Sequence, residues 1–264
     1  MAATYLDRIL GHHRARAAAD DRHVDDLVEI ASRLGPTRGF RAALTDHPQL
    51  AVIAEIKRRS PSKGDLNIGL DPAVLAATYE AGGAACLSVL TDEPHFGGSV
   101  ADLEQARDAC GLPVIRKDFT VCELDVVDAR LMGADAVLLI AAALSDDELR
   151  QFHDLAVGIG LDALVEIHDE SELERALAVD ATLIGVNQRD LVTFEVDQQR
   201  AVRMAGAIPA GAVKVAESGV RGAADARALR SAGYDAILVG ETLVTSGDPA
   251  ATIADLIGLS DRGG

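Results

Sequence analysis

The sequence has no tryptophan and few other aromatic residues, which together make up 3% of its 264 positions. The core must therefore be aliphatic, and a core of Ala, Leu, Val and Ile favours helices packed against buried strands. Hydrophobic residues account for 48% of the chain and charged residues for 25%. These values are typical of globular proteins and exclude a disordered chain. The length predicts one or two domains.

Cysteine is also scarce, and Cys86, Cys110 and Cys122 form neither a CxxC or zinc-ligand pattern nor a disulfide framework. The first 21 residues carry charges in every turn and lack the apolar segment of a signal peptide. The longest charge-free apolar run, residues 136–144, is about half as long as a membrane span. We therefore expect a soluble, cytoplasmic protein with no membrane partner.

Basic residues are outnumbered, with 25 Lys and Arg against 42 Asp and Glu, which gives a formal net charge of −17. Such a surface repels nucleic-acid phosphates and anionic membranes, so neither is expected as a partner. A small anionic substrate is still compatible with this charge, provided that cations are concentrated in one pocket.

Short apolar runs recur from residue 51 onward, and helix-like segments separate them. Asp71-Pro72 is typical of a helix N-cap followed by proline, and residues 145–148 fit a capping box. Eight such β–α units predict a (β/α)8 barrel, with a doubly wound sheet as the alternative. The predicted strands are residues 51–56, 84–89, 112–115, 136–140, 163–167, 182–186, 212–216 and 236–239.

The first 48 residues differ from the rest, because their apolar residues recur at helical spacing until Gly35-Pro36. We predict two helices there, as an N-terminal extension (residues 1–48) to a barrel formed by residues 49–264, in a single domain overall. Residues 158–163 match G-x-G-x-x-A but follow a helix and enter a strand, the reverse of a dinucleotide-binding fingerprint. A tight turn is the favoured interpretation.

Ionisable residues follow five of the predicted strands at one end, where the active site of a barrel lies. Glu55 and Lys57 point the same way because strand residues alternate. Burying two charged side chains at a barrel mouth costs free energy unless they form an ion pair or take part in the function of the site. Neighbouring charges can hold an acid and a base together at neutral pH. Salt bridges at strand ends are the alternative. The candidates are Glu55, Lys57, Lys117, Glu166, Asn187, Arg189 and Glu217.

Two glycine-containing loops, residues 217–222 and 239–242, follow the last two predicted strands. Barrels often bind phosphate at this place through backbone N–H groups, and glycine allows close approach. Ordinary turns that need glycine are the alternative. The polar segment 58–70 after the first strand predicts a lid over the substrate rather than a solvated surface loop.

Seven segments of the chain together resemble the indole-3-glycerol phosphate synthase family. They run in the family's order, and the N-terminal helical extension fits as well. The resemblance implies closure of the pyrrole ring of 1-(2-carboxyphenylamino)-1-deoxyribulose 5-phosphate, with loss of carbon dioxide and water, in tryptophan biosynthesis. It also implies that no cofactor or metal is needed. The segments are residues 54–65, 88–100, 115–120, 164–169, 184–192, 216–221 and 238–244.

The resemblance further implies roles for single residues. Lys117 would be the general acid and Glu166 the proton acceptor. Glu55 and Lys57 would orient Lys117 and assist dehydration, while Asn187 would bond to Glu55 or to substrate hydroxyls. The remaining assignments are Glu217 and Ser218 to the sugar and phosphate, Arg189 to the carboxylate, Ser60, Gly219, Gly240 and Glu241 to the phosphate, and Phe96, Phe119 and Leu139 to the aromatic ring.

Two other functions are compatible with parts of this pattern. Phosphoribosylanthranilate isomerase would share the last two loops but would not require Glu55, Lys57 and Lys117 together. A non-catalytic protein that binds a phosphorylated metabolite would need no balanced acid and base. His12 and His13 have no partner ligand nearby in the sequence, so we expect no metal site there.

Overall fold

The computed structural model describes residues 4–258, which form ten strands and thirteen α-helices in the described part of the chain. Eight of the strands are long and buried, and two short ones form a separate hairpin. The strands are β1 (Ala51–Ile56), β2 (Arg59–Ser60), β3 (Gly64–Asp65), β4 (Cys86–Leu90), β5 (Val114–Lys117), β6 (Ala136–Ile140), β7 (Asp162–Ile167), β8 (Leu183–Asn187), β9 (Val213–Glu217) and β10 (Ala236–Val239).

The long strands close into a parallel barrel in the order β1-β10-β9-β8-β7-β6-β5-β4. Closure is made by β1, which pairs with β10 on one side and with β4 on the other. An open doubly wound sheet would have two edge strands with one partner each, whereas each of the eight long strands in the described residues has two. The predicted (β/α)8 barrel is therefore confirmed, and the doubly wound alternative is wrong.

Helices follow the strands and cover the outside of the barrel. Asp71 accepts hydrogen bonds from the N–H groups of Ala73 and Val74, and Ser145 and Glu148 form the predicted capping box. The helices after β1 are α4 (Pro72–Ala81), α5 (Glu93–Phe96), α6 (Val100–Asp108), α7 (Glu123–Leu131), α8 (Asp146–Gly158), α9 (Glu170–Ala178), α10 (Arg200–Met204), α11 (Ala223–Ser231), α12 (Glu241–Val244) and α13 (Pro249–Leu256).

The residues before the barrel form three helices, α1 (Tyr5–Ala18), α2 (Val24–Ser32) and α3 (Phe40–Thr45), where the sequence predicted two. The additional helix is only six residues long and follows the Gly-Pro break. It forms because Phe40 and Leu44 lie one turn apart and are both buried at the amino-terminal end of the barrel. A helix of six residues is unstable in isolation, and burial of these two large side chains supplies the free energy that stabilises it here.

The turn at Gly160 joins α8 to β7 and has a left-handed backbone conformation, with φ of 84°. This geometry agrees with the tight turn predicted for the G-x-G-x-x-A match and places it away from any helix N-terminus. No helix among residues 4–258 is long and apolar enough to cross a membrane.

Candidate active site

A cavity of about 550 Å³ opens at the carboxyl ends of the barrel strands. It brings together fourteen of the fifteen candidate residues, although they come from distant parts of the chain. The candidates that line it are Glu55, Lys57, Ser60, Phe96, Lys117, Phe119, Glu166, Asn187, Arg189, Glu217, Ser218, Gly219, Gly240 and Glu241.

Leu139 is the exception, and its assignment to the aromatic wall is wrong. It is fully buried among the apolar side chains that pack between the barrel and its outer helices. Its neighbours Leu138 and Ile140 line the cavity instead. Successive residues of a strand face opposite sides, so an error of one position moves a side chain from the inside of the barrel to the outside.

Lys117 lies at the centre of the cavity floor, between two glutamates. Its Nζ donates hydrogen bonds to Oε2 of Glu166 at 2.9 Å and to Oε2 of Glu217 at 2.8 Å. Asn187 donates from Nδ2 to Oε1 of Glu166 at 3.0 Å. Of the two partners predicted for Asn187, Glu55 is wrong, because β8 lies next to β7 whereas Glu55 is on β1, and the substrate hydroxyls stay a prediction.

These contacts change the proton affinities of all three charged groups. Burial would lower the pKa of Lys117, but the carboxylates of Glu166 and Glu217 outweigh burial and raise it. Burial raises the pKa of Glu217 to about 7, with Lys117 opposing and Glu166 adding to the shift. Burial would also raise the pKa of Glu166, yet Lys117, His168 and Asn187 lower it to about 2. One carboxyl group is thus ionised at neutral pH, and its neighbour titrates there.

A second ion pair lies beside this cluster. Nζ of Lys57 is 2.5 Å from Oε1 of Glu55, so the first strand supplies its own internal pair. Glu55 also helps to raise the pKa of Lys117 through its charge. It is held close to the backbone of Gly240, where a Cβ atom would lie 2.2 Å from Oε1 of Glu55. The Glu55–Lys57 pair therefore faces the same cavity as Lys117 and Glu166.

The loops after β9 and β10 are held by hydrogen bonds to their carbonyl groups. Ser218 and Gly219 have successive left-handed backbone conformations, with φ of 65° and 77°. Gln188 and Gln198 donate hydrogen bonds to the carbonyl groups of these two residues. Thr242 ties the two loops together through a 2.7 Å hydrogen bond to the carbonyl of Val220. A left-handed serine is uncommon, which is a form of backbone strain that often marks functional sites.

The segment after β1 folds over the cavity as the β2–β3 hairpin. Arg58 anchors its base through a two-bond pair with Asp102, at 2.9 and 3.1 Å. Near the tip, Arg189 donates to the hydroxyl of Ser62 at 3.2 Å, and Lys63 lies 3.5 Å from Glu241. The hairpin thus makes contacts on two sides of the cavity mouth.

Sequence reasoning did not identify the cavity residues that come from the N-terminal extension. Tyr5, Leu6 and Ile9 of α1 line the cavity, and Ile9 belongs to the same apolar cluster as Phe119. The apolar spacing of α1 was a signal for burial, but it could not indicate which surface the helix covers. Ser88 does not line the cavity but lies beside one of its residues. It pairs with Glu55 in the sheet register, and its buried Oγ has no hydrogen-bond partner in the described residues.

The histidines also differ from expectation. His13 was expected to lack a partner ligand, but its Nε2 lies 2.8 Å from Oδ2 of Asp92. Asp92 is 79 positions away from His13, so no local pattern in the sequence could predict this contact. His168 lies behind Glu166, with its Nε2 3.8 Å from Oε1 of that residue.

Comparison with known proteins gives a consistent result. The family model described as indole-3-glycerol phosphate synthase matches residues 6–256. Indole-3-glycerol phosphate synthase 2 of Streptomyces coelicolor is 53% identical over 232 residues, which cover 88% of this chain and 90% of that protein. Indole-3-glycerol phosphate synthase of Rhodococcus jostii is 49% identical over 255 residues, which cover 96% of this chain and 95% of that protein.

Solved structures with low sequence similarity share the fold alone. Thiamine phosphate pyrophosphorylase from Pyrococcus furiosus matches with a TM-score of 0.59 at 14% identity, over 81% of this chain and 96% of that chain. A structure titled "Native KDPGal structure" matches with a TM-score of 0.56 at 17% identity, over 82% of this chain and 97% of that chain.

Proposed function

The chain belongs to the indole-3-glycerol phosphate synthase family, and from this premise we propose how its residues divide the reaction. The enzyme is a carboxy-lyase of tryptophan biosynthesis. It closes the pyrrole ring of 1-(2-carboxyphenylamino)-1-deoxyribulose 5-phosphate and releases carbon dioxide and water. The site must therefore protonate a developing alkoxide, allow carboxylate loss, expel a hydroxyl group and accept a proton.

Lys117 is the general acid of ring closure. When the ring carbon attacks the ketone, the carbonyl oxygen gains negative charge and takes a proton from Nζ of Lys117. Two features support this role. The carboxylates on either side raise the pKa of Lys117, so the lysine carries its proton at neutral pH. The side chain is 13% exposed and lines the cavity, so its proton faces the substrate.

Glu166 accepts the proton that is lost when the indole becomes aromatic. Its low pKa keeps the carboxylate ionised across the neutral range. Asn187 and Lys117 bond to opposite oxygens of this carboxylate, which fixes its orientation toward the cavity. The ion pair of Lys57 with Glu55 assists departure of the hydroxyl group, because Lys57 can donate the proton that leaves with the water while Glu55 holds the Lys57 side chain in place.

Substrate contacts follow from the positions of the other cavity residues. Phe96 and Phe119, with ring centroids 6.4 Å apart, form the apolar wall for the aromatic ring, and Leu138 takes the place first given to Leu139. This wall holds the ring near the ketone in a reactive geometry. The phosphate lies at the glycine-containing loops. Its contacts, and those of the sugar and the substrate carboxylate, are Ser60, Arg189, Glu217, Ser218, Gly219, Gly240 and Glu241.

The wider setting of the enzyme is part of the same proposal. Within the described residues, 4–48 act as an extension whose first helix covers the cavity, and 49–258 form the catalytic barrel. The predicted ranges 1–48 and 49–264 also include residues 1–3 and 259–264, which lie outside the described residues. The substrate is a small sugar phosphate, the reaction uses no cofactor, and the enzyme works in the cytoplasm without a nucleic-acid or membrane partner. The contacts of Tyr5, Leu6 and Ile9 with the cavity support the covering role of the extension.

The observation that carries the proposal is Lys117 held between two glutamates on the cavity floor. Incubation with the anilino-deoxyribulose phosphate should produce indole fluorescence, and the absence of tryptophan keeps the protein background low. Lys117→Met should bind substrate with little change yet lose turnover by about 10²–10⁴-fold.

Lys214→Met is the matched control, because Lys214 lies on β9 with its Nζ bonded to the carbonyl of Ala205, away from the cavity residues. It should retain turnover. No indole signal from the folded wild-type protein would contradict the activity, whereas retained turnover in Lys117→Met would reassign only the general acid.

A further inference from the structure

Two histidine side chains near the rim of the cavity converge on a single carboxylate oxygen of Asp92. Nε2 of His13 and Nδ1 of His95 lie 2.8 and 2.9 Å from Oδ2 of Asp92. The three atoms that could bind a metal all lie within 4.8 Å of one another. His13 belongs to α1, whereas Asp92 and His95 belong to the N-cap and first turn of α5. The cluster thus joins the N-terminal extension to the barrel.

The carboxylate of this cluster lacks a permanent counter-charge. The side chain of Asp92 is fully buried, and among residues 4–258 its only ion-pair partners are the two histidines. By contrast, the nearby carboxylate of Asp118 is paired with Arg116. Buried carboxylates without such a partner commonly bind a metal ion.

The chemistry of the three ligands matches zinc in particular. Imidazole nitrogen and carboxylate oxygen are ligands that Zn²⁺ binds at about 2.0–2.2 Å, usually with tetrahedral geometry. Tetrahedral ligand atoms at those lengths stand roughly 3.3 Å apart, so each imidazole need retreat from Asp92 by only about 0.5 Å. Three protein ligands leave a fourth position for water, and the 19% exposed side chain of His95 marks the solvent-facing side of the cluster.

The surroundings hold the ligands in place before any ion arrives. The backbone N–H of His95 donates to Oδ1 of Asp92 at 2.7 Å, which fixes the carboxylate as the N-cap of α5. The ring of His13 packs against Phe119, with centroids 5.5 Å apart. Such preorganisation reduces the entropy lost on binding.

We propose that His13, Asp92 and His95 form a Zn²⁺ site that fastens α1 to the barrel beside the cavity mouth. The ion replaces the hydrogen bonds that both imidazoles make to Asp92 with coordination bonds. Because Tyr5, Leu6 and Ile9 of the same helix line the cavity, the ion stabilises the cover over the substrate. This proposal concerns metal affinity and holds whether or not the assigned catalytic roles are correct.

The test uses the full chain after treatment with a chelator. Calorimetric titration with Zn²⁺ should show one ion per chain, and Co²⁺ should give the visible absorption of a four-coordinate site that Zn²⁺ then abolishes. His13→Gln, His95→Gln and Asp92→Asn should each weaken Zn²⁺ binding by at least tenfold. Zn²⁺ should also raise the thermal midpoint of the wild type and not that of these variants.

His12→Gln is the matched control, because His12 is the neighbouring histidine on α1 and is not among the three ligands. Its affinity for Zn²⁺ should stay within twofold of wild type. The His95 side chain is 19% exposed, so its replacement should be tolerated and carries the test if His13→Gln does not fold. Absence of saturable binding, equal loss in His12→Gln, or unchanged affinity in His95→Gln would each overturn the proposal.

Discussion

Glu166 is the buried carboxylate that we propose as the proton acceptor. Replacement by glutamine keeps the shape of the side chain and a hydrogen bond to Asn187, but it removes the negative charge that accepts the proton. Glu166→Gln should therefore reduce kcat by about 10²–10⁴-fold with little change in KM, measured by indole fluorescence. Glu174→Gln is the control, because Glu174 is exposed on α9. A rate near that of the wild type would transfer the role to Glu217, the other carboxylate bonded to Lys117.

Gly185 provides the space in which Glu217 sits. A Cβ atom at this position would lie 2.1 Å from Oε1 of Glu217 and 3.2 Å from Leu164, on a rigid strand that cannot move aside. Gly185→Ala should push the carboxylate away from Lys117 and reduce kcat by at least tenfold. A shorter acid relieves the clash, so the double variant Gly185→Ala with Glu217→Asp should recover part of the loss.

Gly206→Ala is the control for this substitution, because a Cβ atom there would have no neighbour within 4 Å. It should leave kcat unchanged. If the double variant is no more active than Gly185→Ala alone, the effect of the methyl group does not act through Glu217.

The alternation of side chains between the two faces of a strand explains which residue assignments could be made from the sequence. Alternation along β1 and the ends of the other strands was enough to bring Glu55, Lys117, Glu166 and Glu217 to one cavity. Hydrogen-bond partners could not be assigned in the same way, because they depend on which strands are adjacent. The contact of His13 with Asp92 depends on where α1 docks, and nothing in its local sequence specifies that surface.

We predict that the β2–β3 hairpin acts as a lid, so its position should depend on whether the ligand is bound. Its tip residue Lys63 has a side chain that is 55% exposed. Trypsin should therefore cleave after Lys63, and saturating indole-3-glycerol phosphate should slow that cleavage at least fivefold by holding the hairpin over the cavity. Mass spectrometry of the fragments over time measures the rate.

Cleavage after Arg33 provides the control within the same sample. Arg33 follows α2, and its side chain is 74% exposed and far from the cavity residues. The ligand should not change the rate there. Equal protection at both sites would indicate general stabilisation of the protein, and no protection at Lys63 would show that the hairpin does not close over the ligand.

The predicted and observed ends of three strands show where the apolar pattern no longer predicts the extent of a strand. The predicted strands at residues 182–186 and 212–216 ended one residue early, and the strand at 112–115 ended two residues early. In each case the structure continues the ladder through a polar site residue, namely Asn187, Glu217 or Lys117. Backbone hydrogen bonds in a sheet form whether a side chain is polar or apolar. A strand that ends in a polar site residue is therefore predicted too short when it is identified by its apolar run.

The charge of the whole molecule is distributed unevenly. Five of the 25 Lys and Arg residues line the cavity, against six of the 42 Asp and Glu residues. The cavity is therefore close to neutral in a protein with a formal charge of −17, which meets the condition that the sequence set for an anionic substrate. The lysines and arginines of the cavity nearly balance its carboxylates, while the acidic surface disfavours polyanions.

Burial of Glu166 and Glu217 also makes the stability of the protein depend on pH. The pKa of Glu217 is about 7 in the folded protein and 4.5 in an ordinary environment. A raised pKa contributes stability that is fully present below about pH 4.5 and is lost as the pH rises through 7, by up to about 3 kcal/mol. Glu166 has a lowered pKa, so its contribution is constant above pH 4.5.

The Glu217→Gln variant has no titratable group at this position, so its thermal midpoint provides the reference for that of the wild type. The thermal midpoint of the wild type minus that of the variant should fall by about 5 °C between pH 5 and pH 8, measured at one scan rate. His153 and His168, whose pKa values are also shifted, titrate in both proteins and cancel in the difference. Glu174→Gln should follow the wild type across the range. Parallel curves for wild type and Glu217→Gln would mean that Glu217 is already ionised at pH 5, and that Lys117 stabilises its carboxylate more strongly than burial destabilises it.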